Sequence, residues 1–535
     1  MKMKLFGASV MLAAATTATA GGILTNTNQS IDFLRNPARD AAIGIDGVYS
    51  NPAGVAFLPE GLHINLNWQY AHQTRTVEST SPFFALGRKN NGNVTKTFEG
   101  VATAPFIPSI QAAYNKGNWS WQFNFSIPSG GGKCKFNDGL GSFESVVGNI
   151  ANSFATLDGL ANKLNGVTEQ MSPIYKMMGK TAPAAINTHG VTGYDMDGYM
   201  EGRQYYFGFQ LGTAYKINKD LSVYGGLRLL YGTANYKAKI SNIMVGTANN
   251  GFIDFATFLT NVPVLVQQSV STAQQHIDII DQMEKSGAPV PEALQQAKQQ
   301  LTGGLEALQQ SSGQLSSLAK YAEGVNLLCD QSSLGLAPII GIDYRTGPFN
   351  FAAKYEFRTQ IRMKNKSALN EASEIPAINK FRDGEEVSED NPALLAIGAM
   401  WSPSDVVRIN VGWHHYFDKS AEWYNNTQDL LDHDSNEFLA GVEWDLNDKL
   451  TISGGGQLTR YGLTDDYMND MSFVVDSYSF GLGFNYEVSN KVTLKAGYFQ
   501  TNYEHYEKTT SVEPLVKDDF TRTNHVLGIG CELNL

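Results

Sequence analysis

Residues 478–500 read YSFGLGFNYEVSNKVTLKAGYFQ, and apolar and polar positions alternate through them. Tyr478, Phe480, Leu482, Phe484, Tyr486 and Val488 fall on one face; Ser479, Gly481, Gly483, Asn485 and Glu487 fall on the other. After a Ser-Asn turn, Val492, Leu494, Ala496 and Tyr498 alternate with Thr493, Lys495, Gly497 and Phe499. A period of two with one apolar face is a strand. The same hairpin recurs at 437–459, 394–417, 336–358, 206–231 and 109–127, closed by short turns such as NKGN, INKD, RTGP, SPSD and LNDK.

The pattern predicts an all-β fold of fourteen antiparallel strands, at about 61–75, 94–114, 118–128, 203–216, 221–242, 335–345, 349–363, 393–402, 406–418, 437–446, 449–461, 474–487, 491–505 and 523–535. Connections alternate strictly between short and long. An even strand number with short turns at one end and long loops at the other is the pattern of an outer-membrane β-barrel. A closed sheet has no edge, as lipid requires. Both ends of the barrel then lie at the periplasm. Alternation places Asp343, Lys354, Glu356, Arg358, Arg408, Asn410, Glu443 and Lys495 on lumen faces, and Cys531 toward lipid.

Two insertions break the alternation, at about 129–202 and 243–334. Phe143, Val147, Ile150, Phe154, Leu157, Leu160, Leu164 and Val167 recur at helical spacing in the first, as do Phe252, Phe255, Leu259 and Val262 in the second. A glutamine-rich run with Leu294, Leu301, Leu305, Leu308, Leu315 and Leu318 follows. Two readings stay open: helical lids over the barrel mouth, or helices that pack only on each other. Cys134 and Cys329 lie in these insertions. A disulfide between them is one option in an oxidising exterior.

Composition narrows the class. Charged residues make up 17% of 535, aromatics 11%, and glycines number 52. Mean hydropathy is -0.24, too polar for a bundle of membrane helices. The start, MKMKLFGASVMLAAATTATAGG, has Lys2 and Lys4, an apolar core from Leu5 to Ala15, and Ala18-Thr19-Ala20 as a cleavage pattern. It reads as a removed signal peptide over 1–20. Without Lys2 and Lys4, 38 basic residues face 52 acidic ones, a net charge of -14. That balance excludes nucleic acid as a partner. Three cysteines offer no metal-ligand spacing. No cofactor is expected.

Residues 21–60 precede the first strand without sustained alternation. They carry Ile31, Phe33, Leu34, Ile43, Ile45, Val48, Val55, Phe57 and Leu58, and a turn at Asn51-Pro52-Ala53-Gly54. A fourteen-stranded barrel is roughly 25–30 Å across and cannot be filled by wall side chains. The segment is therefore expected to fold inside the barrel as a plug, or hatch, with the barrel itself over 61–535. Proline fixes one compact turn there.

With that plug in place, NPARDAAIGIDGVYSNPAGVAFL at 36–58, FIPSI at 106–110 and the fourteen-strand count resemble the FadL-type outer-membrane transporters of long-chain fatty acids and other hydrophobic compounds. The resemblance spans nearly the whole mature chain. It implies an N-terminal hatch, helical outer loops that collect substrate, and lateral release into the membrane through a gap at a kinked third strand. Applied here, the hatch residues Phe33, Val48, Asn51, Pro52, Ala53, Gly54 and Phe57 line an inner pocket. Arg228, Arg408 and Lys495 are candidates to meet a carboxylate, against the plainer reading of a lumen charge network. Pro105, Pro108 and Pro128 are candidates for the lateral exit, because proline cannot donate to a ladder; an ordinary strand end is the alternative. The C-terminal Leu535 departs from the aromatic residue usual in such barrels.

Catalysis is not expected. His414 and His415 are adjacent and face opposite ways, so only His414 reaches the lumen, and no serine or carboxylate at a matching depth is identified. Asp432, Asp434 and Asn436 lack the glycine of a calcium loop, so metal is not expected either. The expected function is passive, energy-independent uptake of a hydrophobic small molecule, by a monomer in outer-membrane lipid and lipopolysaccharide. The rivals are a surface-binding adhesin that uses the helical loops, and an open aqueous porin.

Overall fold

The computed structural model describes residues 25–287, 289–292, 294–305, 324–370, 376–510 and 515–535. The expected signal peptide, and Leu308, Leu315 and Leu318, lie outside the described residues. Fourteen antiparallel staves form a closed barrel, as the alternation predicts. They are β1 (Gly61–Thr80), β2 (Thr95–Lys116), β3 (Trp119–Phe136), β4 (Val191–Lys216), β5 (Leu221–Thr247) and β6 (Val325–Thr346). Next come β7 (Phe349–Glu356, resumed at Arg362–Ser367) and β8 (Glu386–Ser388, resumed at Leu394–Ser404). Then follow β9 (Val407–Tyr416), β10 (Ser435–Asn447), β11 (Leu450–Arg460), β12 (Ser477–Ser489), β13 (Val492–Tyr503, resumed at Tyr506–Thr509) and β14 (Lys517–Asn534). β1 closes on β14 from His63 opposite Asn534 to Thr80 opposite Lys517.

Only part of each long stave faces lipid. On β5 the outward Val223, Leu227, Leu229 and Tyr231 are exposed. That run is about nine residues, the length a tilted strand needs to cross a bilayer. Beyond it the outward positions turn polar, at Thr233, Asn235, Lys237 and Lys239. Aromatic residues gather at the short-turn end, where Trp119 stacks on Trp121 and Phe349 on Trp401. Such a girdle marks a membrane interface.

The barrel walls rise above the membrane band and shorten both insertions. β3 does not end at the expected residue 128 but runs through Gly130, Gly131 and Gly132 to Phe136, and β4 begins at Val191 rather than 203. Helix α2 (Gly141–Met177) and helix α3 (Phe255–Lys285) hold the apolar spacing read from the sequence, except that Phe252 falls in a short strand, Gly251–Asp254. The two helices pack together through Phe154, Phe255, Phe258 and Val262. α2 also lies against β4.

His276 of α3 is buried in that contact. The Thr168 hydroxyl donates to the Leu164 carbonyl and accepts from His276 Nε2 at 2.8 Å, while the Tyr175 hydroxyl donates to Nδ1 at 3.1 Å. Burial holds the imidazole neutral and its pKa down at about 4. An unfolded chain takes up this proton near 6.5. The contribution is therefore intact above pH 6.5 and lost as pH falls toward 4, on the order of 3 kcal/mol in full. We expect hydrogen exchange in α2 and α3 to quicken across that window, and His276→Phe to flatten the response. A variant with the wild-type pH profile would contradict this assignment.

Candidate functional site

The segment from Ser30 to Ala56 lies inside the barrel and is mostly buried. It has one short α-helix, α1 (Ile31–Arg35), capped by the Ser30 hydroxyl, two 3-10 turns at Ile45–Val48 and Gly54–Phe57, and otherwise little regular structure. Its carbonyls need donors from elsewhere. The wall supplies them: Gln210 donates to the Val48 carbonyl, Gln122 to Pro52, Ser222 to Ala53, Asn115 to Val55, Asn350 to Ala41 and Lys354 to Tyr49. Asn51 Nδ2 donates to Asp343 at 2.6 Å. Ala53 packs against Tyr224 and Ile339. A Cβ at Gly54 would come within 2.4 Å of the Asn51 amide, so the Asn-Pro-Ala-Gly turn needs its glycine.

The three cations proposed from sequence to meet a carboxylate are neutralised within the protein. Arg228 pairs with Glu356. Arg408 holds Asp445 at 2.6 Å and Glu443 at 3.3 Å. Lys495 holds Asp32 of the plug at 2.6 Å and Glu532 at 2.7 Å. Glu443 also takes Arg35 at 2.8 Å and Arg39 at 3.0 Å from the plug. The plainer reading, a lumen charge network, describes these residues, and Lys495 extends that network to the plug. The sequence could not separate the two, because Asp32 and Lys495 are distant in the chain. The fold also brings Glu437 and Asp40 to His414, carboxylates that sequence reasoning did not identify.

Phe33, Val48 and Phe57 do not share a pocket. Phe33 packs on Phe499, Val48 is enclosed by Ile45, Val55 and Ala113, and Phe57 lies under the Arg345 guanidinium at 3.9 Å. A cavity of about 50 Å³ lies elsewhere, lined by Arg75, Gly131, Gly132, Cys134, Phe136, Met200, Tyr236, Phe381 and Met471.

Arg75 of β1 is opposite Arg522 of β14 in the closing ladder. The two are 6% and 7% exposed. Among the described residues neither has a carboxylate within salt-bridge distance. Arg522 donates only to the Phe473 carbonyl and to Gln73, each at 3.3 Å, and lies over the Tyr503 ring. The Nε atoms of both arginines and the Tyr236 hydroxyl lack hydrogen-bond partners. Two like charges facing each other without a counter-charge are costly to bury. Among the described residues no carboxylate answers this pair of guanidinium groups. Sequence reasoning missed both arginines. Alternation from Asn65, Asn67 and Gln69 carries Arg75 to the lumen, and its cross-strand neighbours Gly100 and Arg522 bring no acid.

Cys134 and Cys329 are free. This corrects the disulfide option: both residues are on strands, in one rung that runs Cys134, Gly202, Tyr236, Cys329 across β3, β4, β5 and β6. Three strand spacings separate them, roughly 14 Å, beyond disulfide reach. The Tyr236 ring leans over Gly202 between the two thiols.

The wall is interrupted beside the cavity. The β2–β3 ladder runs from Ile110 opposite Phe125 to Lys116 opposite Trp119, lapses, and resumes at Ala102 opposite Cys134. β3 is also irregular against β4 between Ser126 and Gly132. Pro105 and Pro108 fall on the β2 side of the lapse and Pro128 on the β3 side. Gly130 adopts φ 114°, and a Cβ there would meet the Gln204 carbonyl at 2.5 Å. Gly131 and Gly132, on the β3 lip, also line the cavity.

Residues 374–532 match the model of the outer membrane protein beta-barrel domain. No curated protein matches the sequence. The chain is similar in structure to a FadL homologue of Pseudomonas aeruginosa, with 9% identity over 96% of this chain and 99% of that one, and a TM-score of 0.55. It is likewise similar to the TodX deltaS2S3 mutant monoaromatic hydrocarbon channel, with 10% identity, 95% and 99% coverage, and a TM-score of 0.51. Over residues 374–532 the sequence matches an outer-membrane β-barrel domain, and the described chain folds as one closed β-barrel. At these identities the likeness is one of fold, and that fold is FadL-like: a fourteen-stranded barrel around an N-terminal plug.

Proposed function

We propose that the protein takes up hydrophobic molecules with an anionic head, of which long-chain fatty acids are the simplest. Arg75 and Arg522, which have no carboxylate partner among the described residues, carry this reading. Arg75 borders the cavity, and Phe136, Met200, Phe381 and Met471 give an alkyl chain apolar surface beside it. The driving force is the substrate's own preference for apolar surroundings. In this reading α2 and α3 form the outer capture surface, the plug shifts to admit the molecule, and the β2–β3 lapse lets it leave sideways into lipid. The short-turn end, which includes Leu535, faces the periplasm, and the barrel works as a monomer surrounded by lipid and lipopolysaccharide.

The test compares binding of oleate and methyl oleate to the purified protein. Charged hydrogen bonds are worth about 1.5–3 kcal/mol each. The double variant Arg75→Met with Arg522→Met is expected to weaken oleate binding at least about tenfold and to leave the ester unchanged. An equal effect on both ligands would remove the carboxylate from this site.

A further inference from the structure

The β2–β3 lapse is bridged by one plug residue. Gln29 is 3% exposed and stands behind the opening. Its backbone carbonyl accepts from Ser109 Oγ at 2.5 Å and from Gln111 Nε2 at 3.0 Å, both on β2. Its side chain turns to the other lip. The carboxamide Nε2 donates to the Ile127 carbonyl at 3.1 Å, and the Ile127 N–H donates to Oε1 at 3.0 Å. Opposed residues of an antiparallel ladder exchange the same reciprocal pair of bonds. The glutamine carboxamide thus stands in for the missing rung of β2. One step along β3, the Asn26 N–H donates to the Pro128 carbonyl at 2.7 Å, and Thr25 bridges Ser129.

We propose that Gln29 is the latch of a lateral gate between β2 and β3, a positioning residue that closes the wall by side-chain mimicry of a strand. The proposal rests on the uptake reading above. The physical basis is local. β3 is bent by Pro128 and the glycines after it, and β2 has Pro105 and Pro108, so the lips cannot zip together unaided. Across the lapse they are held by Gln29, whose side chain engages Ile127 and can turn without breaking a rung of the sheet; Asn26 and Thr25 hold only the β3 lip. Withdrawal of that side chain frees the Ile127 N–H and carbonyl. It also opens a path from Gly131 and Gly132, which border the cavity, to the membrane face beside Ile127. The exposed Phe106 of β2 marks that face as lipid-bathed.

Two measurements on the full chain in lipid nanodiscs test this. The first is hydrogen exchange in Gln29→Leu. Exchange over 126–129 is expected to rise at least tenfold, with 119–125 unchanged; wild-type protection over 126–129 would overturn the latch. The second keeps Gln29 and uses Ser109→Cys with Ser126→Cys, the next cross-strand positions beyond the Ile110–Phe125 rung, in a background where Cys134, Cys329 and Cys531 are serine. After oxidation, a fluorescent fatty acid should still bind, but its transfer to acceptor vesicles should slow at least tenfold and recover on reduction. Normal binding with unaltered transfer would overturn the gate and leave the uptake reading standing. No binding in either redox state would instead overturn the uptake reading.

Discussion

Deletion of residues 25–58 is expected to convert a closed barrel into a conducting pore. The plug occupies the lumen at the membrane level, where the wall presents Asn65, Gln111, Gln122, Gln210, Asp343 and Lys354 inward, all buried against it. Without the plug these polar side chains border a channel through a cylinder roughly 25–30 Å across. In planar bilayers the intact protein should pass almost no ionic current and the deletion should show stable open steps. The barrel itself should still resist SDS without heating, because every stave has both neighbours. A folded deletion variant that stays silent would mean that the upper walls and insertions seal the bore, and that the plug has another task. The same pair of proteins separates uptake from surface binding: uptake of a labelled fatty acid should become unselective leakage, whereas adhesion through α2 and α3 would persist.

The second large effect is expected at Glu443. Its two carboxylate oxygens receive Arg35 and Arg39 of the plug and Arg408 of the wall, and the group is buried. Glu443→Leu leaves that cationic group short of its shared counter-charge. Breaking a buried pair in this way costs about 3–5 kcal/mol. Arg35 keeps Asp32, Arg39 keeps Asp46, and Arg408 keeps Asp445, so the loss should loosen the plug and spare the barrel. Hydrogen exchange over 35–48 should quicken by two orders of magnitude or more while β12 and β13 stay protected. Unchanged exchange over 35–48 would show that the carbonyl contacts alone hold the plug.

The membrane-level barrel was legible because lipid imposes a strict alternation. Leu482, Phe484 and Tyr486 point outward and are exposed, and Gly481 and Gly483 point inward against α1. Above the membrane that constraint ends. Over 191–202, outward Asp195 and Asp197 alternate with Tyr194, Met196 and Met200, buried among loops and helices. No lipid face advertises a strand there, and the expected start of β4 came twelve residues late. Inward direction was equally legible for Arg228, Arg408 and Lys495. Their pairing was legible only in part: Glu443 faces Arg408 on the adjoining stave, but Glu356 lies two staves from Arg228, and Asp32 reaches Lys495 from the plug. Arg75 and Arg522, which have no carboxylate partner among the described residues, meet only where the first stave closes on the last. Proline positions along β2 and β3 marked the weak seam, but nothing in the sequence pointed to Gln29 as its bridge.

The seat of α1 has a consequence for how the molecule is assembled. Gly481, Gly497 and Gly528 press on Leu34 and Ile31 so closely that a Cβ at any of them would overlap the helix, and Lys495 reaches back to Asp32. The earliest described residues are thus moulded by the final three staves. A nascent chain must carry its own stopper, unseated, until the seam between β1 and β14 joins around it. Membrane insertion and the setting of the stopper are therefore a single closing event, and agents that stall the last hairpin should leave the N-terminal residues open to proteases.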